Sequence, residues 1–408
     1  MAVKIRKVED FSTNCPDFLP GATVTEDGMK ALALVDAPDH VCCRYRIGAF
    51  APTLAAEGWN LEIEGLARGT LGRVRQIGKA SRYDAVILQR KLLPGWQLRL
   101  LRRKTPHLVF DYDDAVLYRD SYDTRGPDSA RRARRFAATV GLADVVTAGN
   151  DFLADCALRA GANPDRVRVI PTCVSSEKYP NRAERCDGEG KGLDLVWVGS
   201  SSTLQGLEQE RGLWDRLGRE VPGVRLRVIC DRFPDLGAMP IVKVGWSEQT
   251  EAREIAAGDV GVTWIPDDAW SRGKCGLKVL QYQAAGLPVI ANAVGVHGEI
   301  VRPGLTGWLP ESVEGWVEAV RVMRNDPELR QRMGRAARES VEANYSVRAW
   351  EGTFVAALAG FSTGNASRGE SHSKLSVAST AGPMGVERSP SRSRPRTLSG
   401  RGPIGVKG

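Results

Sequence analysis

Several features that mark other protein classes are missing from this chain. None of its 408 residues lie in an apolar run approaching the roughly 18 residues of a membrane-spanning helix. Histidine occurs four times, and the eight cysteines show no CxxC spacing, which disfavours a zinc or redox centre. No GxGxxG follows the apolar run at 31–36, and the segment around Lys274 lacks the first glycine of a P-loop. These absences disfavour a dinucleotide oxidoreductase and a P-loop enzyme.

The first residues are basic but lack an apolar segment, which argues against a secretory signal. We therefore expect a cytoplasmic protein, with attachment to the inner face of a membrane as the alternative. The spacing of the cysteines fits reduced thiols, which agrees with that compartment.

Positive charge is concentrated toward the C-terminal end. The formal net charge is +8, and the stretch 361–408 holds eight Lys or Arg and two Glu, so +6 lies there and +2 in everything before it. The part before 361 is nearly neutral, which removes the main argument for nucleic-acid binding. We predict that 361–408 is a disordered basic tail, either simply solvated or engaged in phosphoregulated, membrane or anionic-partner contacts.

Apolar strand patterns alternate with helical patterns along most of the chain. This alternation predicts parallel sheets that are covered by helices on both faces. We predict an irregular extension at 1–29, a Rossmann-like domain at 30–178, a polar linker at 179–192 and a second Rossmann-like domain at 193–343. Two such domains place a ligand cleft between the carboxyl ends of their strands.

The segment 270–308 has its charges at the unfavourable end of a helix. A helical pattern at 274–285 places Lys274, Lys278 and Gln281 on one face. A helix N-terminus carries partial positive charge, so each lysine in the first turns costs roughly 0.3–1 kcal/mol unless an anion binds there. The pattern predicts an anion site; the alternative is that both lysines are solvated surface residues.

The same segment closely resembles the donor-binding segment of family 4 glycosyltransferases, which have the two-domain GT-B fold. The resemblance is carried by GKCGLKVLQYQAAGLPVIANAVGVHGEIVRPGLTGWL at 273–309, with support from WVGSSST at 197–203 and DVGVTWIPDD at 259–268. It implies an α/β fold of two doubly wound parallel-sheet domains facing across a cleft. It also implies that a last helix, at 344–360, crosses back to the first domain.

The resemblance implies a reaction as well as a fold. In this family the second domain holds a nucleotide-sugar donor, the first domain takes the acceptor, and transfer retains the anomeric configuration without a bound metal. We therefore expect a UDP- or GDP-linked sugar as donor substrate, a saccharide or lipid-linked acceptor, and no cofactor.

Contacts with the ribose and the sugar are implied at three positions. Family members commonly have two glutamates eight positions apart, and these positions are Gly273 and Gln281 here. Gln281 can still hydrogen-bond ribose hydroxyls, whereas Gly273 offers only its backbone. Glu299 stands where the family usually has a glutamate, and the alternative is an ordinary acid in the first turn of a helix.

The diphosphate contacts of the family are also altered. An Arg and a Lys commonly follow the first strand of the second domain, but this chain has Gly199, Ser200 and Ser201 in that loop. Hydroxyls and backbone N–H groups could cradle phosphate there without supplying charge. Lys274 and Lys278 are the natural substitutes as point charges.

Three carboxylates stand where many family members have a histidine that contacts the donor sugar. They are Asp111, Asp113 and Asp114, at the carboxyl end of a predicted strand. We assign them the catalytic role of binding sugar hydroxyls, stabilising charge at the anomeric carbon or orienting the acceptor. The alternatives are capping and loop solvation, or a metal site suggested by the DxD-like triplet.

Two arginine groups complete the set of candidates. Arg44 and Arg46 follow the first strand and could contact phosphate or an acidic acceptor, with plain solvation as the alternative. A basic helix could dock on anionic lipid or present a solvated face, and its arginines are Arg131, Arg132, Arg134 and Arg135.

The leading hypothesis is a retaining, metal-independent glycosyltransferase. With a saccharide as acceptor, it would act in polysaccharide biosynthesis. One alternative is a nucleotide-sugar epimerase or hydrolase of the same fold. Another is a non-catalytic protein that binds sugar nucleotides or glycans, because the paired glutamates are absent. Fold analogy by itself cannot choose between them.

Overall fold

Alternating strands and helices form two parallel β-sheets in the computed structural model. The structure describes residues 28–182 and 192–360. The predicted extension at 1–29 lies outside the described residues except for its last two, and the predicted tail at 361–408 lies wholly outside them. The predicted linker at 179–192 is described only at its ends.

The first sheet has six parallel strands. They are β1 Met29–Val35, β2 Trp59–Gly65, β3 Ala85–Gln89, β4 His107–Tyr112, β5 Val145–Ala148 and β6 Val167–Val169. The helices between them are α1 Val41–Arg46, α2 Ala51–Ala56, α3 Thr70–Lys79, α4 Gly95–Lys104, α5 Ala130–Leu142 and α6 Asp151–Arg159. The spatial order β2-β1-β3-β4-β5-β6 changes direction between β1 and β3. Doubly wound sheets bind ligands beyond the carboxyl ends of the strands at such a switch point.

The second sheet is also parallel and has six strands. They are β7 Leu193–Val198, β8 Val224–Cys230, β9 Ile241–Gly245, β10 Val260–Thr263, β11 Val289–Ala291 and β12 Gly307–Trp308. Its helices are α7 Ser201–Gln209, α8 Arg211–Glu220, α9 Glu251–Ala256, α10 Ala269–Arg272, α11 Leu277–Ala284, α12 His297–Ile300, α13 Val313–Asn325 and α14 Pro327–Asn344. The order β12-β11-β10-β7-β8-β9 places the switch point between β7 and β10.

Burial along each strand follows from its place in the sheet. Every residue of the inner strands β3 and β7 is buried, because helices cover both faces of a parallel sheet. The edge strand β9 has no buried residue. Polar caps then fix the helix starts at the carboxyl edge: Asn150 accepts from the Leu153 N–H at 2.8 Å, and Asp268 accepts from the Ser271 N–H at 2.7 Å.

The helix predicted at 274–285 begins three residues later in the structure, at Leu277, which corrects that prediction. A loop at 273–276 separates α10 from α11, and Gly276 is the N-cap of α11. Gly276 has a φ of +67°, in the left-handed region that glycine enters without a steric cost. Lys274 therefore lies in the loop and not on the face of α11 that carries Lys278.

The last helix, predicted at 344–360, is Val347–Ala359 in the structure. The sequence does not predict the short helix α1 or the two-residue strand β12, because neither is long enough to show a periodic pattern. Among the described residues, no helix is both long enough and apolar enough to cross a bilayer.

The last helix, α15 Val347–Ala359, packs against the first sheet after the chain has completed the second. The Phe354 ring stacks on Phe50 with 4.2 Å between the ring centroids. Thr53 donates to Glu351 at 3.1 Å, and His107 Nε2 lies 3.0 Å from the carbonyl oxygen of Ala357. These contacts hold the end of the described chain on the first domain.

Replacement of Phe354 by alanine should lower the free energy of unfolding by about 3–5 kcal/mol, because a buried ring is lost and a cavity remains. Arg348 is exposed on the same helix, so Arg348→Ala should change it by less than about 0.5 kcal/mol. Urea unfolding followed by circular dichroism measures both values. Equal effects of the two substitutions would contradict the packing of α15 on the first sheet.

Candidate functional site

The loop 273–276 of the second domain is seated on the carboxyl ends of β4 and β5 in the first domain. Asn150 donates from Nδ2 to the carbonyl oxygen of Lys274 at 3.1 Å. The Cys275 thiol donates to the carbonyl oxygen of Asp113 at 3.3 Å, and its side chain joins the apolar core of the first sheet. The segment predicted to bind the donor therefore touches both domains.

Two glycines allow this close approach. A Cβ at Gly149 would lie 2.3 Å from the Cys275 sulfur, and a Cβ at Gly273 would lie 2.6 Å from the Ala115 Cβ. Both distances are shorter than any ordinary non-bonded contact, so a side chain at either position would force the domains apart. Gly273, predicted to contact the sugar through its backbone, is buried against the first domain.

Gln281 belongs to a buried polar network that joins the two domains. Its Nε2 donates to Glu251 at 2.8 Å and to the Tyr45 hydroxyl at 3.1 Å. The Tyr45 hydroxyl also lies 2.9 Å from that of Tyr179, and burial together with the Glu251 charge raises the pKa of Tyr45 to about 12. Gln281 is 3% exposed, so its predicted contact with ribose would cost these bonds. No sequence pattern links Tyr45 or Glu251 to this position.

Lys278 is a half-buried cation at the carboxyl end of β7. Its Nζ donates to Thr203 Oγ1 at 3.3 Å and lies 4.1 Å from the centre of the Trp197 ring. Burial, with a smaller effect of the Lys274 charge, lowers the pKa of Lys278 to about 7. Within 28–182 and 192–360, no carboxylate forms an ion pair with it. An anionic ligand would supply the missing counter-charge.

Lys274 shares this region although it is not on α11. Its Nζ lies 5.9 Å from the centre of the Trp270 ring. Its charge lowers the pKa of Lys278 in the second domain and opposes the rise in the pKa of Asp114 in the first. The structure therefore brings Lys274 between the predicted diphosphate site and the predicted carboxylates.

The loop after β7, predicted to cradle phosphate, has its backbone N–H groups already engaged. Gly199 bonds within the sheet to β8, Ser200 donates to Thr203 Oγ1 at 3.2 Å, and Ser201 donates to the Asp231 carboxylate at 2.7 Å. A phosphate would have to bind the side-chain hydroxyls here or displace Asp231. The charge for a diphosphate must come from elsewhere.

Asp111 and Arg46 form a buried ion pair, which differs from the prediction that each contacts a ligand. Arg46 Nη2 lies 2.5 Å from Asp111 Oδ1, and both side chains are 1% exposed. Asp111 also accepts from Thr147 at 2.8 Å and from Gln89 at 3.3 Å. Neither residue has surface to offer a ligand, because the sheet encloses the pair.

Asp113 and Asp114 lie beyond β4 beside Arg90, a residue that no sequence pattern marks. Arg90 donates to Asp114, and its Nε lies 3.5 Å from Asp113. Among the described residues, it is the one non-glycine with a positive φ, +58°, a conformation that costs about 1–3 kcal/mol. Burial raises the pKa of Asp114, and the charges of Arg90 and Lys274 oppose that shift.

One group in the described ranges has the composition of a three-ligand metal site. It consists of Cys42, Asp113 and Asp114, whose ligand atoms lie within 4.8 Å of one another. Arg90 donates to both Cys42 and Asp114, and burial raises the pKa of the Cys42 thiol. A metal ion would have to displace this guanidinium and deprotonate the thiol, so the residues do not fit a cation.

Glu299 lines a cavity between the two domains. The cavity has a volume of about 210 Å³ and is bounded by Asn150, Phe152, Arg272 and the loop 293–296. Ligand pockets usually measure roughly 300–1,000 Å³, so this space could receive only part of a nucleotide sugar. Glu299, predicted to contact the sugar, lines this cavity.

The remaining predicted arginines differ in their surroundings. Arg44 forms an ion pair with Glu248 of the second domain at 2.9 Å and lies 5.7 Å from the centre of the Trp246 ring. On α5, three arginines are exposed and one is half-buried; they are Arg131, Arg132 and Arg134, and then Arg135. The structure thus ties Arg44 to the other domain and leaves the α5 arginines at the surface.

Comparison with known proteins finds glycosyltransferases. Residues 270–340 match the family model described as "Glycosyl transferases group 1". The sulfoquinovosyl transferase SQD2 of Arabidopsis thaliana is 30% identical over 225 residues, which are 50% of this chain and 42% of that protein. A D-inositol 3-phosphate glycosyltransferase of Corynebacterium glutamicum is 27% identical over 277 residues, 60% of this chain and 64% of that protein. The chain thus spans about half the length of these relatives.

Solved structures share the fold at low sequence identity. Sucrose-phosphate synthase from Thermosynechococcus elongatus has a TM-score of 0.61 at 18% identity, covering 80% of this chain and 97% of that chain. Anabaena HepE in complex with UDP and glucose has a TM-score of 0.59 at 16% identity, covering 82% and 100%. The predicted two-domain α/β GT-B fold is confirmed.

Removal of the Asp111 carboxylate should cost stability, because the Arg46 charge would stay buried without a partner. We expect Asp111→Ala to lower the free energy of unfolding by about 3–5 kcal/mol. Asp267 pairs with Arg272 at the surface, where the side chains are 55% and 54% exposed, so Asp267→Ala should cost less than about 1 kcal/mol. Urea unfolding distinguishes the two; a small loss for Asp111→Ala would return this residue to the candidate ligand contacts.

Proposed function

We propose that this chain is a glycosyltransferase that moves a sugar, with retention of its anomeric configuration, from a nucleotide-diphosphate sugar to an acceptor hydroxyl. The observation that carries the proposal is the coincidence of two findings in one segment. Residues 270–340 match a glycosyltransferase family model, and the same segment supplies Lys278, a half-buried cation without a carboxylate partner among the described residues. A donor diphosphate would satisfy that charge.

The proposed diphosphate site combines point charges with a helix end. Lys278 lies in the first turn of α11, and the N-cap Gly276 has no side chain to occupy the free N–H groups there. Lys274 extends the positive charge toward the first domain. A diphosphate placed against α11 would accept backbone N–H bonds and neutralise both lysines, which removes the conflict between lysine and helix dipole.

The carboxylates of the first domain face the sugar end of such a donor. We assign Asp113 and Asp114 to the sugar hydroxyls and to charge stabilisation at the anomeric carbon, because they lie beside Lys274 and Arg90. The positive charge of Arg90 opposes the rise in the pKa of Asp114 that burial causes. Asp111 has no catalytic role in this scheme, since Arg46 holds it inside the sheet.

The named relatives guide the choice of donors and acceptors for the first experiment. One structural neighbour was solved with UDP-glucose, and one relative is named for an inositol phosphate acceptor. Incubation with UDP- and GDP-sugars, together with saccharide, inositol phosphate and lipid-linked acceptors, should release nucleoside diphosphate only when an acceptor is present. The reaction should withstand EDTA, because it uses no resident metal. Absence of donor binding by calorimetry would exclude the proposal.

A binding protein without catalysis is the second candidate, and one observation favours it. Both positions of the family's paired glutamates, Gly273 and Gln281, are buried in contacts between the domains. Product analysis separates the candidates: a lengthened acceptor supports transfer, whereas bound but unchanged donor supports binding alone. Free sugar or an epimerised donor would instead indicate the hydrolase or epimerase.

The dissociation constant of UDP should depend on the protonation of Lys278. Burial lowers its pKa to about 7 in the free protein, so the cation is present below that pH and lost above it. A bound diphosphate favours the cation. The dissociation constant should therefore rise by up to about tenfold per pH unit above about pH 7. Calorimetric titration across this range measures the slope.

Lys278→Arg is the matched control, because arginine stays charged throughout this range. Its dissociation constant should lack the alkaline rise, and any titration of UDP itself cancels in the comparison. Lys278→Met should bind weakly at every pH. The same alkaline slope in all three proteins would contradict the assignment of Lys278 to the diphosphate.

A further inference from the structure

Three neighbouring helices of the first domain carry only positive charge. Helices α3, α4 and α5 contain no Asp or Glu. Their basic residues number three, four and four: Arg73, Arg75 and Lys79, then Arg99, Arg102, Arg103 and Lys104, then Arg131, Arg132, Arg134 and Arg135. The chain before 361 has a net charge of only +2, so this face is a strong local excess.

The same face exposes large apolar side chains at one edge. α4 packs between α3 and α5, and each helix follows a parallel strand, so all three begin at the carboxyl edge of the first sheet. The second residues of the three helices are Leu71, Trp96 and Arg131. Leu71 is 86% exposed and Trp96 is 51% exposed. An apolar pair therefore stands at the rim of a basic face.

The positive charges on this face are poorly compensated within the described residues. Ion pairs there involve Lys79 with Glu64 and Arg102 with Asp144. Burial, and then the charges of its basic neighbours on α5 and α3, lower the pKa of Arg135. The helices also begin with positive dipole ends and no acid in the first turn. An anionic surface would relieve this repulsion.

We propose that this face, defined by α3, α4 and α5 with Leu71 and Trp96 at its rim, docks on an anionic lipid bilayer. The arginines contact lipid phosphates, and the two apolar side chains enter the interface, where an indole is especially favourable. Exposed Leu71 favours a bilayer over a nucleic acid, since leucine offers neither charge nor a stacking ring. The proposal is independent of the proposed transferase reaction, because docking requires no donor.

Docking would orient the cleft toward the membrane. The exposed rim lies at the carboxyl edge of the first sheet, the edge that also carries Asp113 and Asp114. A hydroxyl acceptor held by a lipid could then reach the cleft without leaving the bilayer. This would favour lipid-linked acceptors over free saccharides.

Co-sedimentation of the full chain with vesicles tests the proposal. Phosphatidylcholine vesicles that contain phosphatidylglycerol should bind the protein, and pure phosphatidylcholine vesicles should bind it weakly. The double variant Arg131→Gln and Arg134→Gln should lower the partition coefficient roughly 30-fold, at about fivefold for each charge. Leu71→Ser with Trp96→Ala should lower it at least about tenfold, and the remaining binding should be abolished by salt.

A matched control removes the same charge from the second domain. Arg332 and Arg335 are exposed on α14, so Arg332→Gln with Arg335→Gln should leave the partition coefficient within about twofold. All variants keep the stretch 361–408, so its contribution is the same in each. Equal losses in the control and in the α5 variant would overturn the proposal in favour of unspecific attraction.

Two further measurements distinguish the bilayer from other partners. Lipids brominated in their acyl chains should quench part of the tryptophan fluorescence of the wild type and less of it in Trp96→Phe. Unchanged quenching in that variant would overturn the insertion of Trp96. Tighter binding to a polynucleotide than to anionic vesicles, insensitive to Leu71→Ser with Trp96→Ala, would identify the face as a nucleic-acid surface and overturn the proposal.

Discussion

The buried ion pair between Arg46 and Asp111 holds the parts of the first domain on which the cleft depends. Removing two charges from water is costly, and here the cost is offset because Asp111 accepts from Arg46 and Thr147 at once. The pair ties α1 to the carboxyl end of β4. Residues close to each partner in sequence then reach the cleft. Tyr45, next to Arg46, contacts the second domain, and Asp113, two positions after Asp111, lies beside the loop 273–276.

The family that the segment 270–308 resembles has paired glutamates at two positions. In this chain, the residues at both positions form contacts between the domains. Gly273 is pressed against Ala115, and Gln281 bonds to Tyr45 across the cleft. At these two positions this chain has contacts that join its two domains. In this segment, the group proposed to bind an anionic ligand is the positively charged side chain of Lys278. The proposed anion site and the contacts between the domains thus involve different residues of one short segment.

The sequence predicts the sheets well and the cleft only in part. Strands in parallel sheets are apolar on both faces, so their patterns are visible without tertiary information. The anion site proposed at Lys278 is predicted from a local conflict between charge and helix dipole. In contrast, Tyr45 and Gln281 are 236 positions apart, and no local sequence pattern predicts their hydrogen bond. Arg90 also depends on the fold, because the partners of its guanidinium come from α1 and from the end of β4.

The packing of the Cys275 sulfur against Gly149 affects how the cleft opens for ligand exchange. The sulfur fills a depression that exists because position 149 has no side chain. Packed surfaces of this kind move between discrete arrangements and do not deform continuously. The two domains can slide past one another only after the sulfur has withdrawn. Opening of the cleft would consequently be a discrete event, which also breaks the bonds of Asn150 to Lys274 and of Gln281 to Tyr45.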